Sequence, residues 1–192
     1  MKNLLLFALF TFSFNAYAEG YFAELRLGAS DRYHKVVNHA TNGKLEGDFT
    51  GPNAGLRFGK RIGEHAVFLE YNPEQQVEIK SANELANVQS TLLGYRYHLN
   101  ASAFFVGGQV GQSSFELVNG PNGVTFVDNP ITKGMTYGVN VGYIEEFEDV
   151  YLGADIAYNF GSYKEGGPSS TPVTDIEIQN QSQVNVVMGV RF

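Results

Sequence analysis

Residues Val184 to Phe192 read Val-Asn-Val-Val-Met-Gly-Val-Arg-Phe, and every even position in the run is apolar: Val184, Val186, Met188, Val190 and Phe192. The odd positions include Asn185, Gly189 and Arg191. Side chains alternate across a strand with a period of two, so the segment predicts a β-strand with one apolar and one polar face. Such a strand suits a wall that has lipid on one side and a polar interior on the other.

The same alternation recurs along the chain. Eight strands are predicted: Gly20 to Ser30, Pro52 to Arg61, His65 to Asn72, Val88 to His98, Ala101 to Phe115, Gly134 to Ile144, Val150 to Phe160 and Gln183 to Phe192. No amphipathic helix of useful length lies between them. Short connections near Arg61 to His65, His98 to Ala101 and Glu145 to Asp149 alternate with long ones near Asp31 to Gly51, Pro73 to Asn87, Glu116 to Lys133 and Gly161 to Ser182. An even number of strands with alternating short and long connections predicts an all-β, eight-stranded antiparallel up-and-down transmembrane β-barrel. The short turns would face the periplasm and the long loops the exterior.

One parity within each strand is apolar: Leu25 and Leu27, Leu56 and Phe58, Val67 and Leu69, Leu93 and Tyr95, Val106 and Val110, Val139 and Val141, Leu152 and Ile156. The other parity carries Glu24, Arg26, Arg57, Glu70, Arg96, Gln109, Asn140, Asp155 and Arg191. A soluble barrel also has one apolar and one polar face, and glycine separates the two cases. Gly28, Gly55, Gly59, Gly94, Gly107, Gly111, Gly138, Gly142, Gly153 and Gly189 share the polar parity. There they would weaken a water-facing strand for no gain, whereas in a narrow lumen they make room for long neighbours. The barrel is therefore predicted to be polar within and apolar without, as lipid requires. Tyr21, Tyr97, Phe104, Tyr143 and Phe192 would ring one rim, and Tyr158 and Phe160 the other.

The first residues predict export. Met1-Lys2-Asn3 is a short positive start, Leu4 to Phe14 an apolar run, and Ala16-Tyr17-Ala18 a small-x-small cleavage pattern before Glu19. Residues 1–18 are expected to be a cleaved signal peptide, and residues 19–192 a single barrel domain. Loss of Lys2 takes the net charge one unit below the −7 of the full chain, which argues against nucleic acid as a partner. The chain has no Cys, so neither disulfides, thiolate metal sites nor a lipid-modified amino terminus is expected.

Barrels of eight strands are just wide enough to be filled by side chains. Glu24, Arg26, Arg57, Glu70, Arg96, Asp155 and Arg191 are accordingly expected to pair into a lumenal charge network, since unpaired buried charge is costly. A closed plug is the reading favoured over a continuous channel. No catalytic, cofactor or metal residues are expected. His34 and His39 fall in the first long loop, and His65 and His98 at short turns, and all four read as solvated. Asn42 to Lys44 and Asn119 to Gly123 read as turn signals.

The whole chain by architecture, and its last strand by motif, resembles the small OmpA/OmpX-like outer-membrane β-barrels of Gram-negative bacteria. In that family a terminal strand like Val184, Val186, Met188, Val190 and Phe192 serves as an address for assembly. The resemblance implies passage through the periplasm with chaperones, insertion by the barrel-assembly machinery, and residence as a monomer in outer-membrane lipid and lipopolysaccharide. It also implies a role in adhesion, host contact or envelope structure. A narrow porin-like pore is the alternative, and an outer-membrane lipid-modifying enzyme a more distant one. The loops would carry the function, through an extracellular protein or surface ligand. Val77 and Ile79 keep the outward parity of the third strand and Ile176 and Ile178 that of the eighth. They predict strands prolonged beyond the membrane, where a partner could dock by adding a strand.

Overall fold

The computed structural model describes residues 20–38, 43–79, 84–99, 103–119, 131–164 and 174–192. Eight strands, β1 (Gly20–Asn38), β2 (Gly43–Ile62), β3 (His65–Ile79), β4 (Glu84–His98), β5 (Phe104–Asn119), β6 (Ile131–Phe147), β7 (Val150–Lys164) and β8 (Thr174–Arg191), form one closed barrel in sequence order. Every neighbouring pair is antiparallel, and β1 closes on β8 from Phe22↔Arg191 to Asn38↔Thr174. Closure leaves each strand a hydrogen-bonding partner on both sides.

At one end, the turn end, the connections are tight. Ile62 pairs with His65 and Phe147 with Val150, so two residues make each turn. Gly63 (φ 59°) takes the positive angle that such hairpins require, and Glu148 (φ 57°) takes it at the equivalent place without glycine's freedom. At the third turn Leu99 N–H donates to the Phe104 carbonyl (2.9 Å), so β5 begins at Phe104 rather than at Ala101 as predicted.

The strands are much longer than the sequence pattern suggests. β1 has 19 residues and β2 has 20, against about 9–11 needed to cross a bilayer. The long loops predicted between Asp31 and Gly51 and between Pro73 and Asn87 are largely hairpin, with pairing as far as Asn38↔Gly43 and Ile79↔Glu84. The other two shrink likewise, since β5 runs to Asn119 and β6 starts at Ile131, while β7 runs to Lys164 and β8 starts at Thr174. In these extensions the apolar and polar positions no longer alternate cleanly, so periodicity fails as a signal there. Backbone pairing needs no such contrast and continues. The turn signals at Asn42 to Lys44 and Asn119 to Gly123 fall mainly outside the described residues.

Among the described residues the β2–β3 register runs from Ile62↔His65 up to Leu56↔Tyr71. Continuing the register would set Ala54 opposite Pro73, with Pro52 following on β2. Proline has no N–H to give a ladder and is confined to edges and bulges, and β3 also shifts register between Asn72 and Gln75.

Leu25, Leu27, Leu56, Phe58, Val67, Leu93, Val106, Val110, Val139, Val141, Leu152 and Ile156 are all exposed on the outside. Around the turn end Tyr21 stacks with Phe58 and Phe192 (ring centroids 6.1 and 6.5 Å), and Phe104 meets Tyr143 edge-on (5.2 Å). Farther up, Phe160 packs against Tyr137 and Tyr158. An apolar wall between aromatic rims is the exterior that a hydrocarbon slab selects.

The inward parity holds the core, and part of it is apolar. Phe22, Ala66, Phe68, Phe105, Ile144, Tyr151 and Val187 form a buried cluster toward the turn end. Four of its rings obey a rule of register: Phe22 lies across from Gly59, Phe68 from Gly94, Phe105 from Gly142 and Tyr151 from Gly189. Each ring sits on the odd-numbered strand of a hairpin and lies over the glycine of the next strand. A Cβ added at those glycines would lie 2.2–2.5 Å from the ring, so no larger residue fits.

Candidate functional site: a closed lumen

Above the ring layer, three acids and three arginines fill the lumen. β1 supplies Glu24 and Arg26, β2 Arg57, β3 Glu70, β4 Arg96 and β7 Asp155, all at most 3% exposed. Arg26 reaches Asp155 with two nitrogens (2.6 and 3.0 Å) and Glu70 with a third (2.7 Å). Arg57 bridges the group, donating to Glu70 at 2.6 Å, Asp155 at 3.2 Å and Glu24 at 3.5 Å. Arg96 grips Glu24 with both terminal nitrogens (2.7 and 2.8 Å). The charges cancel, and the remaining acceptor positions are filled. Tyr151 O–H donates to Glu24 (2.9 Å), Asn72 Nδ2 to Glu70 (2.9 Å) and Asn185 Nδ2 to Asp155 (2.7 Å).

The ring layer supports this network from below. Arg57 lies over Phe68 (4.5 Å to the ring centre) and Arg96 over Phe105 (4.3 Å), where the ring faces attract the guanidinium charge. Five strands are thus tied across the barrel at mid-lumen. Charge-assisted, partly bidentate bonds in a dry interior are strong and geometrically demanding, so the arrangement is a rigid plug.

Below the rings is the mouth at the turn end. Arg191, expected in the lumenal network, does not join it. It donates to Glu146 of β6, as does Arg61 of β2. Arg191 is the last residue of β8, too near the mouth to reach the mid-lumen acids. His98 also departs from expectation. Instead of being solvated it is buried, tilted against Phe105 (5.9 Å), because the last residue of β4 keeps the inward parity. His65 is exposed and shares a hydrogen bond with Tyr95 (2.6 Å). Between network and mouth is a cavity of about 20 Å³ bordered by Glu24, Arg96, His98, Tyr151, Arg61, Glu146 and Arg191, which has room for about one water molecule.

Toward the hairpin end the inward side chains are mostly uncharged. Asn53 donates to Asn185 (2.7 Å), Gln109 to Asn159 (2.8 Å), and Ser113 shares a bond with Thr136 (2.8 Å), all buried. Among the described residues no group of His, Cys, Asp and Glu is arranged to hold a metal ion.

Val184, Val186, Met188, Val190 and Phe192 lie on the exposed outer face. Ala16, Ala18 and Glu19 lie outside the described residues. Val77 and Ile79 pair with Ala86 and Glu84 of β4, so the third strand is prolonged as expected. Ile176 and Ile178 both pair with β1, and Ile176 also with Tyr163 of β7. The side chains of these four lie outside the described residues. Sequence reasoning missed the inward rings Phe22, Phe68, Phe105 and Tyr151. Their signal was an aromatic on the polar parity facing a glycine once adjacent strands are aligned.

A closed eight-stranded antiparallel barrel with an apolar exterior is the fold of solved outer-membrane β-barrels. No family model and no curated protein matches the sequence, but solved structures share the fold. Neisserial surface protein A superposes with a TM-score of 0.58 at 15% identity, covering 91% of this chain and 99% of that one. The outer-membrane protein OprG of Pseudomonas aeruginosa follows at 0.52 and 14% identity, covering 92% and 99%. Ail, the attachment invasion locus protein of Yersinia pestis, solved with the heparin analogue sucrose octasulfate, gives 0.50 at 11% identity, covering 88% and 99%.

Proposed function

We propose that this chain is a bacterial outer-membrane protein with a closed lumen that presents its hairpin end to the exterior as a surface for binding or adhesion, or for envelope structure. The observation that carries this reading is the neutral, fully buried network of Arg26, Arg57, Arg96, Glu24, Glu70 and Asp155, which leaves the lumen filled. A side-chain plug makes transport a poor use of the barrel, and the long strands beyond the apolar band offer the surface instead. The turn end then faces the periplasm, and the outer wall meets lipid and lipopolysaccharide. Residues 1–18 act as the export signal, and the terminal strand ending in Phe192 as the assembly address.

The test is planar-bilayer conductance of protein whose boiled and unboiled forms migrate differently on a gel, which certifies a folded barrel. Silence is expected. Reproducible unitary steps would move the chain to the class of narrow passive pores.

A further inference from the structure

We propose that the outer wall binds one anionic phospholipid at the turn end, its acyl chains in a groove over Ala23 and its phosphate at Lys60. The inference goes beyond the surface-binding reading, which concerns the hairpin end, and shares with it only the apolar wall that meets lipid. The groove follows from register. Outward residues Phe58, Ala23, Val190 and Val150 form one row across β2, β1, β8 and β7. Ala23 is the smallest of the four, so the row dips between Phe58 and Val190. Leu25 and Met188 continue the depression one row farther up, and the groove measures about 850 Å³, within the range of sites that hold small ligands.

Lys60 stands one outward position nearer the turn end than Phe58, a step of about 7 Å along the strand. Its Nζ lies over the Tyr21 ring (5.2 Å to the centroid), and Tyr21 stacks with Phe58. Among the described residues no carboxylate pairs with Lys60. Glu64 of the β2–β3 turn is engaged by Tyr97 O–H (2.8 Å), and Glu148 and Asp149 sit on the β6–β7 turn, three strands away. An ammonium so placed, at the border of an apolar wall, attracts the phosphate of a lipid whose chains lie on that wall. The second outward groove gives the contrast. It measures about 490 Å³ over Ala154, beside Tyr143, Ile156 and Val184. At its rim Tyr143 O–H donates to Glu145, a carboxylate that repels a phosphate.

The experiment is native mass spectrometry of the folded barrel released from detergent, titrated with phosphatidylglycerol or with phosphatidylcholine of the same acyl chains. Each variant is used only when its boiled and unboiled forms migrate differently on a gel. Phosphatidylglycerol is expected to bind about fivefold more tightly than phosphatidylcholine, the worth of a single cation at a membrane surface. Lys60→Gln should erase that preference. Ala23→Leu, which fills the groove, should weaken both lipids, whereas Ala154→Leu should change neither. Failure of the parent to retain phosphatidylglycerol, a preference that survives Lys60→Gln, or retention indifferent to Ala23→Leu would overturn the proposal. A dimer in place of the lipid adduct, lost in Ala23→Leu, would overturn it too and assign the groove to a second copy. Conductance steps, measured separately, bear on the lumen alone and leave this wall site standing.

Discussion

Arg57 contacts all three lumenal carboxylates, and Arg26 and Arg96 each complete a two-nitrogen grip on one of them. The value of each arginine is therefore mostly what its loss would leave behind. Removing one partner of a buried pair strands the other charge, at about 3–5 kcal/mol. Arg26→Ala leaves Asp155 and Glu70 short of a cation, and Arg96→Ala leaves Glu24 short of one. Both variants should unfold at distinctly lower urea than the parent, and unchanged midpoints would contradict a dry, interdependent network. The paired variant Glu24→Leu with Arg96→Met should recover much of the loss, because removing both charges also removes the desolvation cost.

At the scale of strands, the four ring-and-glycine pairs give each hairpin the same internal joint. Phe68 is the most enclosed, fully buried beneath Arg57 and Arg96 and filling the space where the Gly94 Cβ would stand. Gly94→Ala should cost about 1–3 kcal/mol, since the ring has no free direction in which to move. Trimming the ring in the same molecule, Gly94→Ala with Phe68→Leu, should be less destabilised than the sum of the two single changes. Additive losses in denaturant titrations would mean that the two residues do not share space.

Across the whole molecule, one closed ladder joins β1 to β8 and brings the two ends of the described chain together. Phe192 N–H donates to the Tyr21 carbonyl (2.9 Å), and Tyr21 N–H to that of Phe192 (2.8 Å). The Phe192 ring is 67% exposed, resting on Tyr21 and Phe58 at the rim. Its removal takes little packing from the finished barrel. Phe192→Ala should therefore change the unfolding midpoint by less than about 1 kcal/mol while lowering the amount of barrel recovered from the outer membrane of producing cells. A large stability loss with normal recovery would assign the ring to packing rather than to assembly.

Much of this was legible in residue order. Strict alternation at Val184 to Phe192 and its repeats fixed the number of strands, their inward and outward faces and the apolar band, because a slab of lipid beside a polar lumen imposes a period of two. The same parity placed Glu24, Arg26, Arg57, Glu70, Arg96 and Asp155 inside. What tertiary structure decided is what depends on registers between strands. It set Arg191 at the mouth beside Glu146, buried His98 and matched four rings to four glycines. It also extended the hairpins past the point where alternation fades. Alternation is a property of one strand facing two media, whereas height in the lumen and the continuity of a ladder belong to pairs of strands, and only the closed barrel supplies the pairs.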